Sequence, residues 1–413
     1  MSAFDRIGGA LHCDGVPLVD LAAAHGTPLY VYSAASIANR YREIDRAFAG
    51  YPHAMHYALK ANSTLAIARL LRSLGAGADA NSGGEIEVAL RAGFTPSEIV
   101  FTGVGKTDAE LARAVDLGLH SINAESHGEL QRIEAIASAA GRRARVAVRV
   151  NPDIDALSHP HISTGLKNNK FGISLADALD VCRRVHGRPG IEIVGLHSHV
   201  GSQITDLDPL RRAAQALVDL SRELADAGIG VEHLDIGGGL GIAYEGQRVP
   251  SAAEYAAAIL PIVRESGLTL VLEPGRSLVG SAGVLVSRVI DIKPQPGGKL
   301  FVILDAGMTD LIRPMLYGAY HGIEPLAASS NPPALCDIVG PLCETSDTLG
   351  RDRQLPAPAV GDLLVVRDTG AYGSVMASNY NRRPMPAEVL VQDGRATVIR
   401  RRQTIDDLVA LES

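Results

Sequence analysis

The sequence predicts an α/β protein, a (β/α)8 TIM-like barrel joined to a second, mainly β C-terminal domain. Three observations predict it. From about residue 52, short β-like runs alternate with longer segments of helical spacing as far as Pro274. After Arg276 the texture changes to β-rich runs divided by Gly, Pro and Asp, with few patterns of helix length. A chain of 413 residues, 46% of them hydrophobic, also exceeds the usual single-domain size, so two domains are expected.

The first run is AMHYAL (54–59), and the helical stretch STLAIARLLRSLG follows it. GADA (77–80) precedes GEIEVALRAG, EIVF (98–101) precedes TDAELARAVDLG, and HSINA (120–124) precedes SHGELQRIEAIASAAG. ARVAVRV (144–150), EIVGLHSHV (192–200), EHLDI (232–236) and LTLVLEP (268–274) complete eight strand candidates in about 220 residues. That size suits a closed barrel better than an open doubly wound sheet. Within this stretch, residues 207–226 carry Leu210, Ala213, Ala214, Leu217, Leu220 and Leu224 at helical spacing. Helices stop at Gly75, Gly93 and Gly118, where a left-handed C-cap favours glycine. The later runs VLVSRVIDI, KLFVILDAG, DLLVVRDTG, AEVLVQDG and RATVIRRR make the β domain. The expected division is 1–30 as an N-terminal segment packing with the β domain, 31–276 as the barrel and 277–413 as the β domain.

Composition removes several function classes. The formal charge of -7 is spread along the chain without a basic block, so nucleic acid is not expected as a partner. Asp5 and Arg6 stand where a secretory signal needs an apolar core, and no stretch approaches the roughly 18 apolar residues of a membrane span. The reading is a cytoplasmic protein with no membrane partner. Four cysteines (Cys13, Cys182, Cys336, Cys343) show no CxxC pairing and the histidines show no ligand spacing, so no metal site is expected.

In a barrel of this kind the active site is built at the C-terminal ends of the strands. Lys60 ends the first strand; His199 and Ser202 follow the sixth (HSHVGSQ), Gly237, Gly238 and Gly239 the seventh (LDIGGGLG), and Glu273 and Arg276 the eighth (LEPGRS). Each residue has an ordinary reading: Lys60 as a solvated surface charge, His199 as a hydrogen-bonded core histidine, the glycines as a tight turn. Together they suit a phosphorylated aromatic cofactor. Glycine backbone N–H groups and Arg276 attract an anion, a buried amine with a depressed pKa condenses with an aldehyde, and Glu273 can pair with a ring nitrogen. Pyridoxal 5′-phosphate (PLP) supplies all three partners. Two decoys fail. The pattern from Gly237 meets Ile242 where a dinucleotide fingerprint needs its third glycine, and TGVGKT (102–107) has Val100 where a P-loop needs its first.

HYALKAN, NSGGEIE, HISTGLKNNKFGI, HSHVGSQI, LDIGGGLGIAY, LEPGRSLVG, DLIRPMLYGAYH, GPLCETSD, DTGAYG and SNYNRRPMPAEVLV follow one another in an order and spacing that resemble the diaminopimelate decarboxylase family. That family belongs to the alanine racemase-like, fold type III PLP enzymes, which include ornithine decarboxylase. The resemblance runs from roughly residue 28 to 395. It implies a homodimer with active sites shared between subunits, and removal of CO2 from the D-configured centre of meso-2,6-diaminopimelate to give L-lysine, the last step of lysine biosynthesis. By the same resemblance Lys60 carries PLP, Glu273 pairs with the ring nitrogen, His199 stacks on the ring and Asp79 lies near both. Ser202, Gly238, Gly239, Arg276 and Tyr372 hold the phosphate. Arg276, Arg313, Tyr317 and Tyr372 contact the substrate, Glu344 meets its distal ammonium, and Cys343 reaches over from the other subunit to return a proton.

A substrate with two zwitterionic ends needs a cation and an anion at its far end, and Arg313 and Glu344 are of the right types. Their ordinary readings are a surface ion pair and a turn cap; that of Asp79 is the N-cap of the following helix. The chain departs from the family pattern at Thr345, Ser346, Arg382 and Met385, which bears on exact substrate preference. The alternative is the same chemistry on another amino acid: ornithine, arginine or a specialised-pathway precursor. A diamine-forming decarboxylase would leave Arg313 idle. An alanine racemase is disfavoured because its ring nitrogen is held unprotonated, the opposite of what Glu273 does, and a non-enzymatic PLP-binding protein would lack the β domain.

Overall fold

The structure, a computed structural model, describes residues 3–155 and 169–412. Residues 161–168 of the HISTGLKNNKFGI motif lie outside the described residues. Eight parallel strands pair in sequence order and the last pairs with the first: His53–Ala58, Gly77–Ala80, Ile99–Phe101, Ser121–Ala124, Ala144–Asn151, Ile191–His197, His233–Asp235 and Thr269–Leu272. The closed (β/α)8 barrel of the sequence reading is therefore the observed architecture.

The helices between the strands begin and end where their sequences direct. Ser82 accepts from the Glu85 N–H to cap Gly83–Ala92, and Thr107 with Glu110 and Ser251 with Glu254 form capping boxes on Asp108–Leu117 and Ala252–Val263. Gly93 and Gly118 close their helices at φ of 101° and 65°, the left-handed region where glycine carries no Cβ penalty. Asp79 is not an N-cap; that position belongs to Ser82.

The described residues of 1–39, 243–247 and 278–413 form one compact unit, and those of 40–242 and 248–277 the other. In the first, Leu29–Ser33 runs antiparallel to Gly283–Pro294 on one side and parallel to Ala387–Gln392 on the other. Leu18, Leu29, Val31, Val284, Val286, Val365, Val389 and Val391 fill its core. Pro333–Val339 and Thr348–Pro356, absent from the sequence reading, form an antiparallel pair with two register shifts. In the second strand the buried Leu349 and Leu355 are separated by Gly350, the consecutive charged residues Arg351, Asp352 and Arg353, and Gln354, so no sustained apolar alternation marks it and the run resembles a loop. No helix among the described residues is long and apolar enough to cross a membrane.

At the N-terminal ends of the strands the barrel interior is closed by three imidazoles. His56 stands level with Gly77, the first residue of the next strand; His120 immediately precedes Ser121–Ala124; His233 opens its own strand. Ring centroids lie 5.3 Å (His56 to His120) and 5.4 Å (His120 to His233) apart. The chemistry-bearing residues gather at the opposite ends of the same strands.

Candidate active site

Strand register explains how that rim assembles. Ala58 sits beside Asp79, so a residue two positions beyond it emerges next to the end of the second strand. Lys60, in the 3-10 turn Leu59–Ala61, accordingly places Nζ 3.2 Å from Asp79 Oδ2 and 3.4 Å from Asn81 Oδ1. Asp79 is fully buried, whereas the Lys60 side chain is 31% exposed. The amine is therefore half-buried at the mouth and not sealed in the core as the sequence reading assumed, because the strand has already ended and a turn carries the lysine outward. Burial, and then the charge of Glu273, push the Asp79 carboxyl above its usual value against the pull of Lys60.

His199 accepts the Gly238 N–H at Nδ1, 3.2 Å away. That bond leaves the proton on Nε2 of a neutral ring. Burial, then the positive charges of Lys60 and Arg149, hold its pKa well below the ordinary histidine value, in the same sense as that hydrogen bond. The glycine loop owes its composition first to packing. A Cβ on Gly238 would lie 2.2 Å from the Glu273 carbonyl oxygen, and Gly239 has φ of 110° with a Cβ position 2.6 Å from the Gly201 carbonyl. Arg276, 6% exposed, donates from Nη2 to Ser202 Oγ at 3.0 Å, so these two side chains meet as one polar group.

Glu273 lies deepest. Its Oε2 is 3.3 Å from His197 Nε2, and Oε1 faces Thr102 Oγ1 at 3.4 Å and Asn123 Nδ2 at 3.5 Å. Burial opposes ionisation here, but His197 and Lys60 together outweigh it and hold the carboxyl well below the usual range. Asp235 behaves in the opposite way. Burial and the neighbouring Glu273 push it well above that range, and a side-chain hydrogen bond between the two carboxyls acts in the same direction.

Sequence reasoning missed His197, Asp235, Thr102 and Asn123. A signal existed for the first: His197 precedes His199 by two, and residues two apart in a strand share a face. Among the described residues, ligand atoms of His197, Asp235 and Glu273 lie within 4.8 Å of one another. They come from three different strands, so no linear spacing betrays them, and their mutual hydrogen bonds account for the arrangement.

The remaining residues singled out in the sequence belong to the β-rich unit. Arg313 opens the short helix Arg313–Tyr317 and is 5% exposed, which removes its reading as a surface ion pair. Tyr317 on that helix is half-buried. Tyr372 is half-buried at φ of 56°, inside the tightly packed DTGAYG turn. Buried Asp347 accepts the N–H groups of Met308 (2.6 Å) and Leu342 (2.8 Å), and the loop it organises presents Cys343 and Glu344 to solvent. Glu344 takes a hydrogen bond from the Tyr380 hydroxyl at 2.9 Å, and its backbone carbonyl accepts the Asp347 N–H at 3.1 Å in the turn. Thr345 and Ser346 are exposed, Arg382 pairs with Glu412 near the C-terminus, and the Met385 N–H donates to Gln403.

This donor set fits PLP: an amine paired with a carboxylate, an ionised carboxylate beneath, a neutral imidazole face, and a guanidinium with a hydroxyl beside a glycine turn. On a closed barrel with an accompanying β unit, it defines a fold type III PLP enzyme. The pyridoxal binding domain of the pyridoxal-dependent decarboxylases matches residues 34–280. A diaminopimelate decarboxylase from Neisseria meningitidis is 47% identical over 97% of this chain and 98% of its own length, and one from Pseudomonas aeruginosa is 47% identical over 100% and 99%. The crystal structure of diaminopimelate decarboxylase from Helicobacter pylori complexed with L-lysine superposes with a TM-score of 0.92 at 43% identity, covering 96% of this chain and 99% of that one. The chain belongs to the diaminopimelate decarboxylase family of PLP-dependent decarboxylases.

Proposed function

We propose that this protein removes CO2 from the D-configured centre of meso-2,6-diaminopimelate and releases L-lysine. The observation that carries this reading is the end-to-end match to diaminopimelate decarboxylases, with the amine, carboxylate and imidazole gathered at one rim. Lys60 would hold the cofactor's aldehyde carbon, Glu273 its ring nitrogen, His199 its ring face, and Ser202, Gly239, Arg276 and Tyr372 its phosphate. Gly238 acts chiefly through His199, to which its N–H is committed. PLP supplies an electron-accepting ring that takes up the electron pair of the broken Cα–carboxylate bond.

The protein's share is orientation and charge. Glu273, held ionised by His197, keeps a ring nitrogen protonated and so favours loss of CO2. Asp79 would steady the Lys60 ammonium whenever the lysine is not bonded to the cofactor. Arg313, with Arg276, Tyr317 and Tyr372, contacts the substrate, and Glu344 takes its distal ammonium. Cys343 Sγ returns a proton to the carbon that has lost its carboxylate. Cys343 and Glu344 are both solvent-exposed on the single chain, which fits residues that act toward a second copy, and a cytoplasmic homodimer is part of this reading. Product analysis tests it: with meso-diaminopimelate, ornithine and arginine offered to the PLP-loaded protein, lysine is the expected major product. Putrescine or agmatine in its place would move the assignment to another amino acid.

A further inference from the structure

Arg313 is held by a contact that a guanidinium makes rarely. Its Nη1 lies 2.7 Å from Nε2 of His321, a ring with no exposed surface, and His321 Nδ1 lies 2.7 Å from the carbonyl oxygen of Arg367. A guanidinium only donates and a carbonyl only accepts. Both bonds form together in one state of the ring: neutral, with the proton on Nδ1 and the Nε2 lone pair turned to Arg313. Protonated His321 would set N–H against N–H. Tyr244 completes the support, with the Arg313 guanidinium carbon 4.8 Å from its ring centroid and the His321 ring edge-on to it at 5.2 Å.

We propose that His321 is a positioning residue that sets specificity for a substrate with a carboxylate remote from the reacting centre. It does so by fixing the rotation of the Arg313 guanidinium in advance of binding. An arginine side chain gives up rotamer freedom when it binds an anion, so a carboxylate binds more tightly to one already immobilised. Amines that lack the distal carboxylate gain nothing from that order. The inference rests on the reading of Arg313 as a substrate contact given under Proposed function.

The test uses the full-length, PLP-loaded protein, with KM and kcat for meso-diaminopimelate and calorimetric Kd values for L-lysine and cadaverine. L-lysine keeps the distal carboxylate and cadaverine lacks it. His321→Ala is expected to raise KM and the L-lysine Kd about tenfold, the effect of losing one oriented charge-assisted contact. The cadaverine Kd should stay within twofold and kcat within threefold. His321→Gln, whose Oε1 can accept from Arg313, should restore most of the loss. If His321→Ala fails to fold, His321→Asn carries the same expectation as the alanine variant, because its shorter amide does not span the gap. Where the wild type makes lysine, an unchanged KM in the His321 variant, or an equal rise in all three constants, would overturn the proposal. A wild type that makes no lysine would instead overturn the function on which it rests.

Discussion

Acid should loosen this barrel from its N-terminal end, and the magnitude follows from its buried imidazoles. Burial, with the neighbouring His120, holds His56 down to about 4, and burial with His120 and His56 holds His233 down to about 3, both from an ordinary 6.5. His120 is also lowered, by burial and then Arg145, with Glu232 pulling the other way. A histidine depressed in the folded state binds fewer protons than the unfolded chain, so its contribution is complete above pH 6.5 and is lost as pH falls toward the folded value. At pH 5, 1.5 pH units below 6.5 and above both folded values, each ring costs about 2 kcal/mol, and the pair about 4 kcal/mol. For a protein of this size that lowers the melting temperature by about 5 °C.

Glu85, Asp310 and Asp368, each raised to about 6 mainly by burial, respond in the opposite sense. Wild type should therefore be compared with a His56→Asn, His233→Asn double variant, in which those carboxyls cancel. Differential scanning calorimetry at pH 7.5 and 5 should show the wild-type melting temperature falling by about 5 °C more than that of the variant, and His233→Asn alone should remove about half the difference. Parallel pH dependences in the two proteins would refute the assignment of acid sensitivity to this cluster.

Three further outcomes follow from the site and its surroundings. His197→Ala removes the group that outweighs burial at Glu273, so the carboxyl should rise and PLP should dissociate about tenfold more readily in a titration of the apoprotein followed by absorbance. Lys106 is 2% exposed, 2.6 Å from Glu129 and bonded to the Gly103 and Asn123 carbonyls; Lys106→Met strands a buried carboxylate and should cost about 3–5 kcal/mol in urea unfolding. Gly238→Ala must move the strand end that carries Glu273, since its methyl would lie 2.2 Å from that carbonyl oxygen, and kcat should fall at least tenfold without loss of secondary structure by circular dichroism.

The barrel was legible because its code is local. Alternating runs name the strands, Ser82, Thr107 and Ser251 mark helix starts, and Gly93 and Gly118 mark their ends. The rim was legible for a related reason: Lys60, His199 and Glu273 each follow a strand, and in a closed barrel all such positions converge. What stayed hidden depends on chain distant in sequence. Asp235 and Asn123 matter only because two other strands bring Glu273 beside them, and His321 reads as a plain surface histidine until Tyr244 and the Arg367 carbonyl enclose it. The half-exposure of Lys60 was hidden too, since no sequence pattern tells where a strand's last residue becomes the first of a 3-10 turn.

The central claim is that the Lys60 amine at the barrel mouth is the covalent anchor of PLP. Borohydride reduction of the PLP-loaded protein, followed by proteolysis and peptide mass spectrometry, tests it most directly. A single pyridoxyl adduct on Lys60, absent from Lys60→Ala, is the predicted result; an adduct on another lysine, or none in a protein that has taken up PLP, would contradict it.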